Sequence, residues 1–270
     1  MNKLLKLISA AVIGSAIFSP AVRAATAFDG LNVLVQNNFQ SQNSEIHGAL
    51  AVGGNATLFN YGVDLFSTPH GGIGGYGLMV GGNLNFTNGS VGKFTNPAQT
   101  YYGGTLSGSS VNYTGGVNAV NPINFGALFS QASIASAALG GYSNTGATTL
   151  NVGGTYGNSG GLTLTGDGSS AVQVFSISGT NLQTRNQIVV NNVPLTSAIL
   201  VNVTGTFAQL ANIDSSTPFA PFGGNVLFNF NSATQVHFDS TGLRASVLAP
   251  NALVTSGWGY LQGTVIAKEW

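Results

Sequence analysis

The side chains able to do chemistry are few and scattered. The 270 residues hold three histidines, His47, His70 and His237, and no cysteine. A metal site needs several donors converging at fixed spacing, and these histidines are far apart with no local ligand pattern. They predict no metal and no cofactor. The segment Thr165-Gly166-Asp167-Gly168-Ser169 has the flavour of a calcium loop. It lacks the further acidic ligands that such a loop uses, so a turn is the reading. Glycan hydrolysis needs a pair of carboxylates, and lyase chemistry a base with charge-neutralising groups. The acids Asp29, Glu45, Asp64, Asp167, Asp214, Asp239 and Glu269 are isolated in sequence. No catalytic residue is assigned, and the chain is expected not to be an enzyme. Val52-Gly53-Gly54-Asn55 and Val80-Gly81-Gly82-Asn83 superficially look like phosphate loops. Strand-like runs follow them and no lysine does, which favours turns between strands. The aromatics Tyr101, Tyr102, Trp258 and Tyr260 are the candidate binding residues, because such rings stack on sugars and partner proteins. The competing role for Trp258, Tyr260 and Trp270 is to cap the open end of a stack of strands.

Charge narrows the function classes. Lys and Arg number seven and Asp and Glu seven. Three of the bases, Lys3, Lys6 and Arg23, sit in an N-terminal segment with a basic start and an apolar run over residues 4–18. Ser19-Pro20 breaks that run, and Val22-Arg23-Ala24 matches what a signal peptidase reads. Residues 1–24 are therefore expected to be a signal peptide cleaved after Ala24, leaving one domain over 25–270. The run is too short to span a bilayer, which takes about 20 apolar residues. Residues 25–270 keep the bases Lys93, Arg185, Arg244 and Lys268 against the seven acids, a net of about −3. Four scattered bases cannot form the stripe that nucleic acid needs. Charged residues make up 5% of the chain, against roughly a quarter in ordinary domains. An exported chain without disulfides must be held by burial and backbone ladders alone.

A repeat supplies those ladders. The phrase Gly48-Ala49-Leu50-Ala51-Val52-Gly53-Gly54-Asn55 returns as Gly77-Leu78-Met79-Val80-Gly81-Gly82-Asn83. Related runs appear over residues 243–254 and 261–267, with Leu243 aligned to Leu261 eighteen residues on. One copy cannot bury its own apolar face, whereas stacked copies bury it against each other. The expected fold is all-β, a β-solenoid. β-branched runs between residues 148 and 203, and the alternating runs 226–231 and 234–238, continue it. One segment reads differently: over 121–139, Phe125, Leu128, Ala132, Ala135 and Leu139 recur at helical spacing. Asn121 as cap, Pro122 at the first position and Gly140-Gly141 as the stop predict one helix on the flank of the stack.

These motifs, in this order, resemble the choice-of-anchor A domain of bacterial exported and surface proteins. The resemblance rests on residues 28–35 and 44–58, Val80-Gly81-Gly82-Asn83, the Pro122-led helix, and residues 247–252 and 263–268. It implies an adhesin-like β-helix at the cell surface or in the medium, and it brings no catalytic residues. The sequence runs only to Trp270, directly after the last repeat, with no sorting motif, so tethering by its own tail is not expected. The expected function is binding to an extracellular matrix protein, polysaccharide or cell-surface component. A self-assembling structural layer is the alternative. A carbohydrate-active β-helix enzyme or an ice-binding protein comes after it; Thr runs such as Leu162-Thr163-Leu164-Thr165 are short for ice.

Overall fold

The computed structural model describes residues 28, 30–66, 73–151 and 160–270. The expected signal peptide, its cleavage site, Asp29 and His70 lie outside the described residues. The rest forms two compact units. One holds the described residues up to Gln131 together with Thr264–Trp270, and the other is Ala132–Gly263.

In the first unit the chain visits two ladders in turn. The first ladder stacks Leu31–Val35, Ala49–Val52, Tyr76–Val80 and Gln99–Tyr102 in parallel, and Val117–Asn118 follows. The second stacks Phe39–Ile46, Ala56–Val63, Leu84–Lys93 and Val111–Tyr113. Alternate side chains of a strand point to opposite faces. Val33, Val35, Leu50, Val52, Leu78 and Val80 of the first ladder therefore meet Phe39, Leu58, Leu84 and Phe86 of the second in one core. Each such burial removes about 1.5–3 kcal/mol of apolar exposure. The other face of the first ladder is covered too, since Leu34, Ala51 and Met79 have no exposed surface.

The Gly-Gly-Asn phrase is the corner between the two ladders. Gly81 N–H donates to Val52 O at 2.7 Å and Gly103 N–H to Val80 O at 2.9 Å, so each corner rests on the one before. A Cβ on Gly53 would stand 2.3 Å from Gln36 O, and on Gly81 2.3 Å from Gly53 O. Close backbone approach excludes any side chain there. The asparagine then locks the corner: Asn38 Oδ1 accepts from Asn55 N–H at 3.1 Å, and Asn55 Oδ1 from Asn83 N–H at 2.8 Å. The sequence reading counts two such corners. The structure adds two in disguise, Gln36-Asn37-Asn38 before them and Gly103-Gly104-Thr105 after, where Thr105 N–H donates to Asn83 Oδ1 at 2.8 Å.

The second unit repeats the logic. Val172–Ser178, Ala198–Thr204, Val226–Asn229 and the first part of Ser246–Ser256 form one parallel ladder. Phe207–Ala211, Gln235–Asp239 and the later part of Ser246–Ser256 form a second. Thr241–Leu243 pairs in parallel with Gly259–Leu261, and Leu243 faces Leu261 as the repeat alignment predicts. Ala147–Asn151 departs from this order, pairing antiparallel with Gly161–Thr165. The strand Val265–Glu269 pairs in parallel with Leu31–Val35, in the register Val33 to Val265. The all-β expectation thus holds in its coarser form: mostly strand, few helices, and largely parallel sheets.

The helix needs correction at its start. It spans Phe125–Gly140, not 121–139. Asn121 Oδ1 accepts from Ile123 N–H, which closes a local turn and leaves Pro122 ahead of the helix. The cap is Asn124, whose Oδ1 accepts from Ala127 N–H at 3.0 Å. Of the predicted face, Leu128, Ala132, Ala135 and Leu139 are buried, with Phe129 beside them, and Phe125 is half-buried. Two short helices, Gly179–Gln183 and Ser216–Phe219, join it, and among the described residues it is the one long helix, as expected. Its last turns are pinned by buried amides. Ser136 Oγ donates to Asn229 Oδ1 at 2.6 Å, Asn229 Nδ2 donates to Asn202 Oδ1 at 2.9 Å, and Asn202 Nδ2 donates to Leu139 O at 2.9 Å.

Candidate binding face

The second ladder of the first unit has one face in the core and one in solvent. Its inward residues fix which side chains point out. Gln40, Thr57, Asn85 and Ser107 lie opposite one another in successive strands and all are exposed. Gln42, Phe59 and Thr87 form the next row. Strands lie about 4.8 Å apart, so each row is a ruler of amide and hydroxyl groups at that interval.

A third column keeps the face regular. Asn43, Asn60 and Asn88 adopt left-handed backbone, with φ of 54°, 50° and 55°, and Ser110 follows at 62°. Asparagine tolerates this conformation better than most residues. Asn60 Nδ2 donates to Asn43 Oδ1 at 3.0 Å, and Asn88 Nδ2 to Asn60 Oδ1 at 3.0 Å. The inserted residue turns Tyr61 inward, where burial pushes its phenol pKa up against hydrogen bonds to Ser41 and Ser44. Tyr113, half-buried in the same stack, is pushed up to about 12 by burial and by Tyr102.

Charge sits only at the margin of this face. His47 Nε2 lies 2.8 Å from Glu45 Oε1, the His47 ring lies 4.4 Å from that of Phe66, and Lys93 Nζ stands 3.7 Å over Phe66. The face itself offers many neutral donors and acceptors and one exposed ring, Phe59. That chemistry suits an extended, repetitive, uncharged surface. Among the described residues no group of three His, Cys, Asp or Glu side chains could hold a metal ion. The Asp167 segment is a turn, as read: Asp167 Oδ1 accepts from the amides of Ser169 and Ser170 at 2.8 Å and from Gln173 Nε2 at 2.6 Å. Those bonds, with Gln173 and Ser170 foremost, hold its carboxyl far below the usual range. His237 Nδ1 pairs with Thr255 Oγ1 at 2.6 Å, a contact between adjacent strands.

The aromatic candidates divide. Trp258, 86% exposed, lies on the bend before the strand Gly259–Leu261 that carries Tyr260. Trp258 is too open to be a cap, and Tyr260 covers Gly242, where a Cβ would meet its ring at 2.9 Å. Tyr101 is corrected: at 8% exposure it is buried and not an open ring, on the covered face of its ladder beside Met79. Tyr102, its neighbour, packs half-buried against the core. Trp270 does act as a cover, with its ring 5.8 Å from Phe39 and its carbonyl accepting from Gln40 N–H at 2.8 Å. The polar rows escaped sequence reasoning, although aligning the Gly-Gly-Asn copies sets Thr57 over Asn85.

Comparison with known proteins bears on this face. A family profile matches residues 24–270 and carries the description "Putative Ice-binding-like adhesive domain". The chain belongs to that family. The family supports an adhesive surface domain as the general class, without singling out choice-of-anchor A. No curated protein matches the chain. A solved structure titled "Crystal structure of ice binding protein from an Antarctic bacterium Flavobacteriaceae" aligns at 10% identity over 95% of this chain and 81% of that one, with a TM-score of 0.22. No helix among the described residues of this adhesive-family chain is long and apolar enough to cross a membrane.

Proposed function

We propose that this protein is an exported, non-enzymatic adhesive domain that binds an extended surface through the rows Gln40–Thr57–Asn85–Ser107 and Gln42–Phe59–Thr87. The observation that carries the reading is the register of those rows, a neutral polar lattice repeated at the strand interval. The ligand class is a polysaccharide, matrix protein or cell-surface component. The parallel ladders are the walls of a β-solenoid of the choice-of-anchor A kind. Residues 1–24 are a signal peptide removed after Ala24, and the protein acts at the cell surface, in the medium or in the periplasm. No residue is assigned to catalysis. Single contacts to such a lattice are weak, and their number gives the affinity.

A pull-down on insoluble polysaccharides and immobilised collagen tests the reading. The paired change T57E with N85E should abolish retention while leaving the melting temperature unchanged, since both side chains are exposed. Undiminished retention would overturn the assignment of this face, and product released from a glycan panel would overturn the non-enzymatic reading. A second reading, ice, is favoured by the same strand-spaced rows and by the family description. Thermal hysteresis lost in the T57E/N85E protein would select it.

A further inference from the structure

One end of the first unit is a bare sheet edge. The strands Val111–Tyr113 and Val117–Asn118 pair on one side, with residues 89–91 and with Thr100 and Tyr101. Among the described residues no strand pairs with their other side. Three other ladder ends are covered at least in part. Leu31–Val35 is flanked by Val265–Glu269, and Trp270 hydrogen-bonds to the edge strand at Asn38 and Gln40. In the second unit, Val172–Ser178 is closed by Thr145 and Gly146, whose amides donate to Val174 O. At the bare edge the core is only half closed, because Tyr102, Val111 and Tyr113 pack against it while still partly exposed. Leu106, Val117 and Val120 add exposed apolar surface there, at 40%, 47% and 67%.

Natural edges are normally blocked by charge, most often lysine. Here the sequence carries no charged residue from Phe94 to Gly166. We propose that this edge is an interface with a second copy of the chain, joined edge to edge about a two-fold axis. The absence of charge argues for that occupant. In a two-fold contact a patch meets its own image, so a patch carrying net charge would repel the second copy. An uncharged edge with open backbone groups and three exposed aliphatic side chains is compatible with itself. Pairing continues the sheet and covers Leu106, Val117 and Val120. This interface meets the adhesive face at Ser107, the last member of one row; the other row residues lie on the outer side of the ladder and not on its edge.

Sedimentation of the purified chain over a concentration series tests the proposal. The wild-type protein should sediment as a dimer at high concentration. V117K should sediment as a monomer with an unchanged melting temperature, because Val117 is exposed. An equimolar mixture of V117K and V117E should dimerise again, since opposite charges then meet across the axis. Hydrogen exchange at residues 111–113 and 117–118 should slow in the wild-type dimer and not in V117K. A wild-type protein that stays monomeric up to its solubility limit, or a V117K protein that still dimerises, would overturn the interface.

Discussion

A single asparagine can be irreplaceable for two reasons at once. Asn60 accepts one hydrogen bond and donates another within its column, and it holds a left-handed backbone. Asn60→Gly removes the bonds and keeps the conformation, whereas Asn60→Ala loses both. Ala should cost about 2–3 kcal/mol and Gly about 1 kcal/mol in chemical denaturation. Equal losses would show that the column acts through its bonds alone. The raised phenol pKa of Tyr113 gives a second expectation. A tyrosine that ionises near 10 unfolded and at about 12 folded keeps its proton longer in the folded state. Its stabilisation is complete below pH 10 and is lost as pH rises toward 12. Melting temperature should fall over that window, and less steeply in Tyr113→Phe; Tyr61, also raised, leaves part of the fall in place. Neither residue announces this in the sequence. A left-handed asparagine is written like any other, and burial of a phenol depends on strands dozens of residues away.

Elements were legible where their period was local. Helical spacing located the buried face of Phe125–Gly140 because one turn of helix fits within four residues. Its start was misread because Asn121 and Asn124 are both capping residues, and Pro122 favoured the first. The distinction lies in which amide each Oδ1 meets, Ile123 or Ala127. Asn124→Ala should therefore cost about 1 kcal/mol, measured by denaturation, and more than Asn121→Ala. Leu128→Asp buries an unpaired charge on the helix face and should lower stability by about 3 kcal/mol. An unchanged melting temperature would mean that this face is not packed. The polar anchors of the same helix, Asn202 and Asn229, gave no signal, since their partners lie 63 and 93 residues away.

For the molecule as a whole, repeated phrases implied stacking, and parallel ladders are what the chain forms. Partner choice was hidden wherever it skipped the neighbouring copy. Thr264 Oγ1 donates to Leu31 O across 233 residues, and Val265–Glu269 completes the strand that begins at Leu31. Removing Thr264–Trp270 should expose Val33, Val35 and Phe39 and produce aggregation, visible by light scattering. A truncated chain that stays soluble and melts like the parent would show that this strand is dispensable. The same pairing sets a timetable. Leu31–Val35 is closed by Val265–Glu269, a strand made only after all of the second unit, so the first unit cannot finish folding before those residues exist. Such a long loop is slow to close. A polypeptide built this way keeps its first unit unfinished until residues 264–270 arrive, and their arrival is the signal to close.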